Sequence, residues 1–164
     1  MEIRGERPEE AEAIRTLTEA AFAPMPYSDG TEHALVGALR DAGALAVSRV
    51  ATEEGRLVGH VAFSPVTVDG RDVGWFGLGP ISVEPTLQDR GIGSALVRAG
   101  IERLRRLGAG GCVLVGAPGY YGRFGFETDP RLTYAGAPAS VFQGLVLRDP
   151  MPEGAVRFHP AFGG

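Results

Sequence analysis

Residues 78–107 constrain the fold more than any other part of the chain, and they read LGPISVEPTLQDRGIGSALVRAGIERLRRL. A short apolar run, Ile81 to Glu84, lies between two prolines. Because proline has no N–H to give to a sheet, we expect a strand confined to that run. A turn follows, and then a loop that bears Gly91 and Gly93. From about Ser94 to Leu107 apolar residues recur at helical spacing, so the stretch predicts a strand, a glycine loop and a helix.

The glycine loop has the chemistry of an anion-binding site. Gly91 and Gly93 carry no Cβ, so a ligand can approach their backbone closely. The N–H groups from Arg90 through Ala95 point out of the start of the helix, where the helix dipole also favours negative charge. Arg90 adds a cation. The sequence therefore predicts an anion held largely by backbone groups.

Two other phosphate-binding patterns do not fit this loop. A P-loop closes on Gly-Lys-Ser/Thr, and all 16 basic residues of this chain are arginine. A dinucleotide fingerprint requires a small residue where Leu96 stands. It also requires an acid about 20 residues further on, where Cys112 and Val113 stand.

Two motifs resemble those of the GNAT acetyltransferases. Residues 88–93, QDRGIG, resemble the family's pyrophosphate-binding pattern Gln/Arg-x-x-Gly-x-Gly/Ala. Further along, YYGRFGF at Tyr120 to Phe126 resembles the ending that closes the acetyl-CoA site. The order of signals over nearly the whole length is similar to the YhbS-like branch of that superfamily. The resemblance implies an α/β fold with a central mixed sheet, helices on both faces and extra C-terminal strands.

The resemblance also implies a single domain over 1–164, with 131–164 as its C-terminal strand extension. The expected function is N-acetyl transfer from acetyl-CoA, as co-substrate, to an amine of a small molecule or peptide by direct transfer in a ternary complex. The resemblance assigns co-substrate binding to residues of the strand, the loop and the aromatic motif: Ile81, Ser82, Val83, Gln88, Asp89, Arg90, Gly91, Ile92, Gly93, Ser94, Ala95, Tyr121 and Phe124. Backbone N–H groups of the strand are expected to be free because it should splay from the strand that bears Cys112.

Two residues are the candidates for catalysis. Tyr121 is expected to protonate or hydrogen-bond the departing sulfur, whereas Tyr120 is expected to pack. Glu84, at the end of the strand, is the candidate general base. Asp29, Glu32 and His33 border the expected acceptor site, but a capped helix start explains them as well.

The rest of the chain predicts helices and an antiparallel meander. The expected helices are Glu9 to Phe22 and Thr31 to Ala42. The expected strands are Glu2 to Arg4, Ala46 to Ala51, Leu57 to Val68, Val73 to Leu78, Gly111 to Val115, Val141 to Leu147 and Ala155 to Phe158. The last two should extend the C-terminal part of the sheet and bury Phe142, Val146 and Phe158. His60, inside a strand, is expected to be a core or sheet-face histidine with its hydrogen bonds satisfied, rather than a base.

Composition limits the partners. A formal charge of −4 gives no electrostatic reason to bind nucleic acid or an anionic membrane, and it leans toward cationic acceptors. One cysteine and an acidic start without a signal-peptide pattern predict a cytoplasmic protein. His and Cys do not cluster at ligand spacing, so no metal is expected. The alternative function is a catalytically weak acyl-CoA-binding sensor or interaction module, whose C-terminal strands serve a partner or a homodimer.

Overall fold

The computed structural model describes residues 1–163, so Gly164, the last residue of the predicted domain, lies outside the described part. The strands are β1 (Glu2–Gly5), β2 (Val47–Glu53), β3 (Arg56–Val68), β4 (Arg71–Val83), β5 (Gly111–Val115), β6 (Leu132–Thr133), β7 (Phe142–Val146) and β8 (Gly154–Arg157). The helices are α1 (Ala11–Phe22), α2 (Glu32–Asp41), α3 (Ile92–Arg106) and α4 (Pro118–Tyr121). Within residues 1–163 no helix combines the length and apolar character that a membrane crossing requires.

The main sheet has the order β1-β2-β3-β4-β5-β7. Its neighbours are antiparallel except for the parallel pair β4 and β5. On one face Ile14 of α1 and Val36 of α2 pack with Val50. On the other face α3 packs, with Leu96 and Leu104 in the larger buried cluster. The prediction of a mixed sheet with helices on both faces is confirmed.

Helix α3 packs directly on β3 at two contacts, each of which involves a glycine. A Cβ on Gly100 of the helix would overlap the Phe63 ring of β3. A Cβ on Gly59 of β3 would lie 2.8 Å from Leu96 Cδ1. Real Cβ atoms do not approach so closely, so these glycines let the helix settle onto β3 and fix where its N-terminus emerges.

The strands β4 and β5 share only a short ladder. Their parallel pairing covers Trp75–Gly77 against Gly111–Val113, and β4 then runs on to Val83 without β5. Here β4 also shifts register against β3, between Val61 and Phe63. The peptide groups of β4 beyond that point therefore have no β5 partner, as expected for splayed strands.

The expectation that Pro80 bounds a separate strand is wrong. The predicted strands Val73 to Leu78 and Ile81 to Glu84 are one strand, β4. Pro80 lies beside Gly79, whose φ is +145°, at the register shift. Because the ladder is already interrupted there, the missing proline N–H breaks no regular pairing.

The C-terminal segment divides between two places. Strand β7 extends the sheet beside β5, but β8 pairs with Thr67 and Val68 at the far end of β3, so the expectation that both strands lie in the C-terminal part is wrong. Phe142 is buried and Phe158 packs against the Trp75 cluster. Val146 is 36% exposed because β7 is an edge strand, so its predicted burial is wrong.

Candidate active site

A cavity of about 630 Å³ opens where β4, the N-terminus of α3, α4 and the end of α1 meet. Its floor is the last part of β4, which includes Ile81 and Val83 and does not pair with β5. The residues that line it are Ala21, Phe22, Met25, Tyr27, Ile81, Val83, Leu87, Gln88, Asp89, Gly91, Ile92, Gly93, Ser94, Tyr120, Tyr121 and Arg123.

One side of the cavity is the start of α3, which presents unpaired N–H groups. The first main-chain bond of the helix runs from the Ala95 N–H to the Gly91 carbonyl at 3.0 Å. The N–H groups of Ile92, Gly93 and Ser94 therefore have no main-chain partner among residues 1–163. The positive end of a helix of 15 residues adds to their attraction for negative charge. This end of the cavity can hold a phosphate or another anion.

The two loop glycines have different roles. Gly91 caps the helix with φ +85°, a left-handed conformation that other residues adopt at a cost, yet a Cβ there would meet open space. Gly93 has an ordinary helical φ. A Cβ on Gly93 would lie 3.3 Å from the Tyr120 hydroxyl and 3.8 Å from Val83 Cγ2. Gly91 therefore shapes the loop, and Gly93 keeps the space beside β4 open.

Tyr121 stands at the end of α4 with its ring against the end of β5. A Cβ on Gly116 would lie 2.5 Å from Tyr121 Cε2, so that glycine is what lets the ring approach. The ring also packs edge-on to Phe126, with 6.1 Å between the ring centroids. Burial raises the pKa of Tyr121 to about 12. No hydrogen bond to its hydroxyl occurs among the described residues, so the phenol can donate to a ligand.

Tyr120 lines the cavity, although the sequence predicted only packing for it. Its hydroxyl lies 3.1 Å from Ser94 Oγ and so joins α4 to the first turn of α3. The Arg123 guanidinium lies 4.5 Å from its ring centroid. Arg123 thus places a cation at the cavity next to the unpaired N–H groups. The paired tyrosines of the motif were the only signal for this role.

The end of α1 and the loop after it form the remaining wall: Ala21, Phe22, Met25 and Tyr27. Sequence reasoning missed these four residues as site residues, because they belong to no recognised motif and lie around the two prolines, Pro24 and Pro26, that follow the helix. They reach the cavity because α1 packs across β3 and β4 on the face opposite α3.

Five of the predicted site residues do not line the cavity. Ser82 is 2% exposed and its hydroxyl has no partner among the described residues. The Glu84 carboxylate meets the Thr86 hydroxyl at 3.5 Å. Phe124 packs under Arg98, 4.9 Å from the guanidinium carbon to the ring centroid. Arg90 lies in the glycine loop, and Ala95 lies in the first turn of α3. The other predicted residues all line the cavity.

The other candidates for a base are engaged elsewhere. Asp29 accepts hydrogen bonds from the Thr31 N–H and hydroxyl, at 3.0 and 2.6 Å, which lower its pKa. Glu32 accepts from the Ser28 hydroxyl at 2.6 Å. His33 lies 3.4 Å from Glu19. These contacts match a stabilised helix start. Nowhere in residues 1–163 do three or more His, Cys, Asp or Glu side chains gather as a metal site.

Comparison with known proteins identifies the family. The model of the acetyltransferase (GNAT) domain matches residues 2–128. The N-acetyltransferase YhbS of Escherichia coli K12 is 36% identical over 170 aligned residues, which cover 99% of this chain and 98% of YhbS.

Solved structures agree with this comparison. A GNAT family acetyltransferase from Brucella melitensis, in complex with acetyl-CoA, has a TM-score of 0.89 and 49% identity, covering 98% of this chain and 97% of its own. The structure of Escherichia coli YhbS in complex with CoA has a TM-score of 0.90 and 34% identity, covering 99% of this chain and 92% of its own. The chain belongs to the GNAT family of N-acetyltransferases.

Proposed function

We propose that this protein transfers the acetyl group of acetyl-CoA directly to a primary amine, with both substrates bound at once. The observation that carries the proposal is the arrangement of one cavity: unpaired N–H groups of α3, the part of β4 that pairs with β3 but no longer with β5, and the Tyr121 hydroxyl all meet there. The relatives from Brucella melitensis and Escherichia coli, with acetyl-CoA and CoA bound, support the choice of co-substrate.

The chain's own groups fit the parts of acetyl-CoA. The N–H groups of Ile92, Gly93 and Ser94 would hold the pyrophosphate, and Arg123 would add a cation. The peptide groups of Ile81 and Val83, which β5 leaves without a ladder partner, would bind the amides of the pantetheine arm. A Cβ at Gly93 would narrow the space between these two regions. This fit depends on backbone more than on side chains.

The reaction exchanges a carbon–sulfur bond for a carbon–nitrogen bond. The neutral amine attacks the thioester carbon, its nitrogen loses one proton, and the CoA sulfur departs as a thiolate. Full proton transfer from Tyr121 would be uphill by about 5 kcal/mol, from a phenol whose pKa is about 12 to a thiol near 8.5. Tyr121 therefore acts as a hydrogen-bond donor to the departing sulfur.

The amine proton goes to water rather than to a dedicated base. Asp89 is the one carboxylate among the cavity residues, and it is on the loop that would hold phosphate. Glu84 does not line the cavity, and Asp29 and Glu32 are occupied by hydrogen bonds. An amine moved from water into largely apolar surroundings loses its proton more readily, which lowers the need for a base.

Acetyl-CoA consumption with a panel of amines tests the proposal. Thiol release should require an amine, and mass spectrometry should find the N-acetylated product. With both substrates varied, double-reciprocal plots should intersect, whereas parallel lines would indicate an acetylated enzyme instead. A protein that binds acetyl-CoA and turns over no amine would support the sensor or interaction module.

A further inference from the structure

The four residues Ala21, Phe22, Met25 and Tyr27, here called the α1-end wall, have no counterpart in the fit of acetyl-CoA described above. They belong neither to the α3 N-terminus nor to the part of β4 that β5 leaves without a partner, yet they line the same cavity. The Tyr27 phenol is also near enough to Tyr121 to contribute to its raised pKa, after burial and Tyr120. The α1-end wall therefore adjoins the reacting end of the cavity.

The cavity carries little formal charge. Among its lining residues only Asp89 and Arg123 are charged, one of each sign, and neither belongs to the α1-end wall. A polyamine or an aminoglycoside would need several carboxylates to replace the water around its ammonium groups. The overall charge of −4 leans toward such cationic acceptors, but every acidic side chain except Asp89 lies outside the lining of the cavity. The local surface is apolar and aromatic.

One main-chain carbonyl at the end of α1, that of Ala21, can accept a hydrogen bond from an amine. Pro24 has no N–H, and the Met25 N–H bonds to the Phe22 carbonyl at 3.0 Å rather than to the Ala21 carbonyl. The Ala21 carbonyl is therefore without a hydrogen-bond partner among residues 1–163. It belongs to the negative end of the helix dipole, which attracts N–H donors.

Tyr27 is the most exposed large apolar side chain of the described residues, at 75%. Covering an exposed ring of this size with an apolar group is favourable. An aromatic partner adds about 0.5–1.5 kcal/mol beyond the free energy that comes from the buried area. The partner that covers it is therefore expected to be apolar or aromatic next to its reacting nitrogen.

We propose that the acceptor is a primary amine attached to an apolar, preferably aromatic, group, which lies on Tyr27 and Met25 while its N–H groups reach the Ala21 carbonyl. This inference rests on the proposed function, since it concerns the second substrate of the same reaction. It excludes polyamines and aminoglycosides as the preferred class.

Thiol release with matched amines tests the acceptor class. Phenethylamine, tyramine and tryptamine should give kcat/KM values at least about tenfold above those of spermidine and kanamycin. Met25→Glu adds a carboxylate to the α1-end wall. It should lower the ratio of kcat/KM for the aromatic amines to kcat/KM for spermidine by about tenfold. Tyr27→Ala should raise KM for aromatic amines by about tenfold, and it should leave the affinity for acetyl-CoA, measured by calorimetry, unchanged. The control is Leu107→Ala, another exposed apolar residue, at the far end of α3.

The outcomes separate this inference from the proposed function. Preferred turnover of spermidine or kanamycin would overturn the acceptor class and leave acetyl transfer standing. Equal changes in KM for aromatic amines in Tyr27→Ala and Leu107→Ala would also overturn the acceptor class and leave acetyl transfer standing. If acetyl-CoA binds and no amine of either class is acetylated, both the acceptor class and the proposed function are wrong.

Discussion

Tyr121 shows how a residue's surroundings change the role that its motif suggests. The sequence placed a phenol near the departing sulfur, where an ordinary pKa would make proton transfer only modestly uphill. In the structure, burial raises that pKa to about 12 and leaves the hydroxyl without a partner among the described residues. Donation of a hydrogen bond is then favoured over transfer of the proton. The motif could predict the residue, but its pKa depends on packing against Gly116 and Phe126.

Tyr121→Phe should lower turnover while preserving packing and acetyl-CoA affinity. A hydrogen bond to a charged atom contributes about 1.5–3 kcal/mol, so kcat should fall roughly 10- to 100-fold. Because the interaction strengthens as charge develops on sulfur, kcat/KM should fall with it. Steady-state kinetics with the best amine, and calorimetry with acetyl-CoA, measure the two effects. Equal rates for the mutant and the parent would leave Tyr121 as a packing residue.

His60 is the second residue whose chemistry follows from burial. It is fully buried in β3, and its Nε2 lies 2.8 Å from the Ser48 hydroxyl. That hydroxyl also bonds to Glu6, which accepts from Arg40 at 3.0 Å. Burial lowers the pKa of His60 to about 4, with Glu6 opposing and Arg40 adding to the shift. The histidine is therefore neutral in the folded protein near neutral pH. It is a core residue as expected, but its Nδ1 has no hydrogen-bond partner among the described residues.

Acid should destabilise the fold through His60. Its folded pKa of about 4 lies below the unfolded value of about 6.5, so the unfolded state binds the extra proton. The contribution of the neutral His60 to the free energy of unfolding is fully present above pH 6.5. It is lost as the pH falls toward 4, by about 3 kcal/mol in all. Glu6, whose pKa is lowered by Arg40 and Ser48 against the effect of burial, acts in the same direction.

Urea unfolding of the parent and of His60→Gln between pH 7 and pH 4 measures this contribution. The parent should lose more stability than the variant over that interval, whatever their difference at pH 7. Identical pH slopes would mean that the buried imidazole does not titrate with unfolding.

At the scale of elements, sequence pattern was sufficient where a single segment decides the structure. The predicted strand Gly111 to Val115 and the helix after the glycine loop both occur, because a short apolar run and a helical repeat are local signals. The sequence pattern predicted two strands in place of β4, because Pro80 is a local signal whose effect depends on the register with β3. The α1-end wall was missed for the same reason, since only tertiary packing brings it to the site.

The two glycines of the loop should respond differently to substitution. Gly91→Ala should cost about 1–2 kcal/mol of stability, because φ +85° is strained for a residue with a Cβ. Gly93→Val should unfold at nearly the parent's urea midpoint but bind CoA at least about tenfold more weakly, since its side chain enters the cavity beside Tyr120. Calorimetry and urea unfolding of both variants separate the effects. Unchanged CoA affinity in folded Gly93→Val would place the co-substrate elsewhere.

At the scale of the whole molecule, the C-terminal segment packs against the core that carries the cavity. Strand β8 closes on the end of β3, and Phe158 lies over Gly77, where β4 and β5 still pair. The pattern of the tail predicted its strands but not their partners, because β pairing over a long sequence separation leaves no local trace. We propose that the tail and residues 1–130 form one cooperative unit.

A double-mutant cycle between Gly77 and Phe158 tests that proposal. A Cβ on Gly77 would lie 2.5 Å from Phe158 Cε1, so Gly77→Ala should cost about 1–3 kcal/mol by overpacking. Phe158→Ala should cost about 2–3 kcal/mol for the half-buried ring it removes. In the double variant the new methyl group enters the space that the ring leaves, so the costs should fall short of additivity by about 1–3 kcal/mol. Urea unfolding measures each free energy, and Val146→Ala, on the exposed edge of β7, should be additive with Gly77→Ala. Additive costs for Gly77 and Phe158 would show that the tail unfolds independently of the sheet.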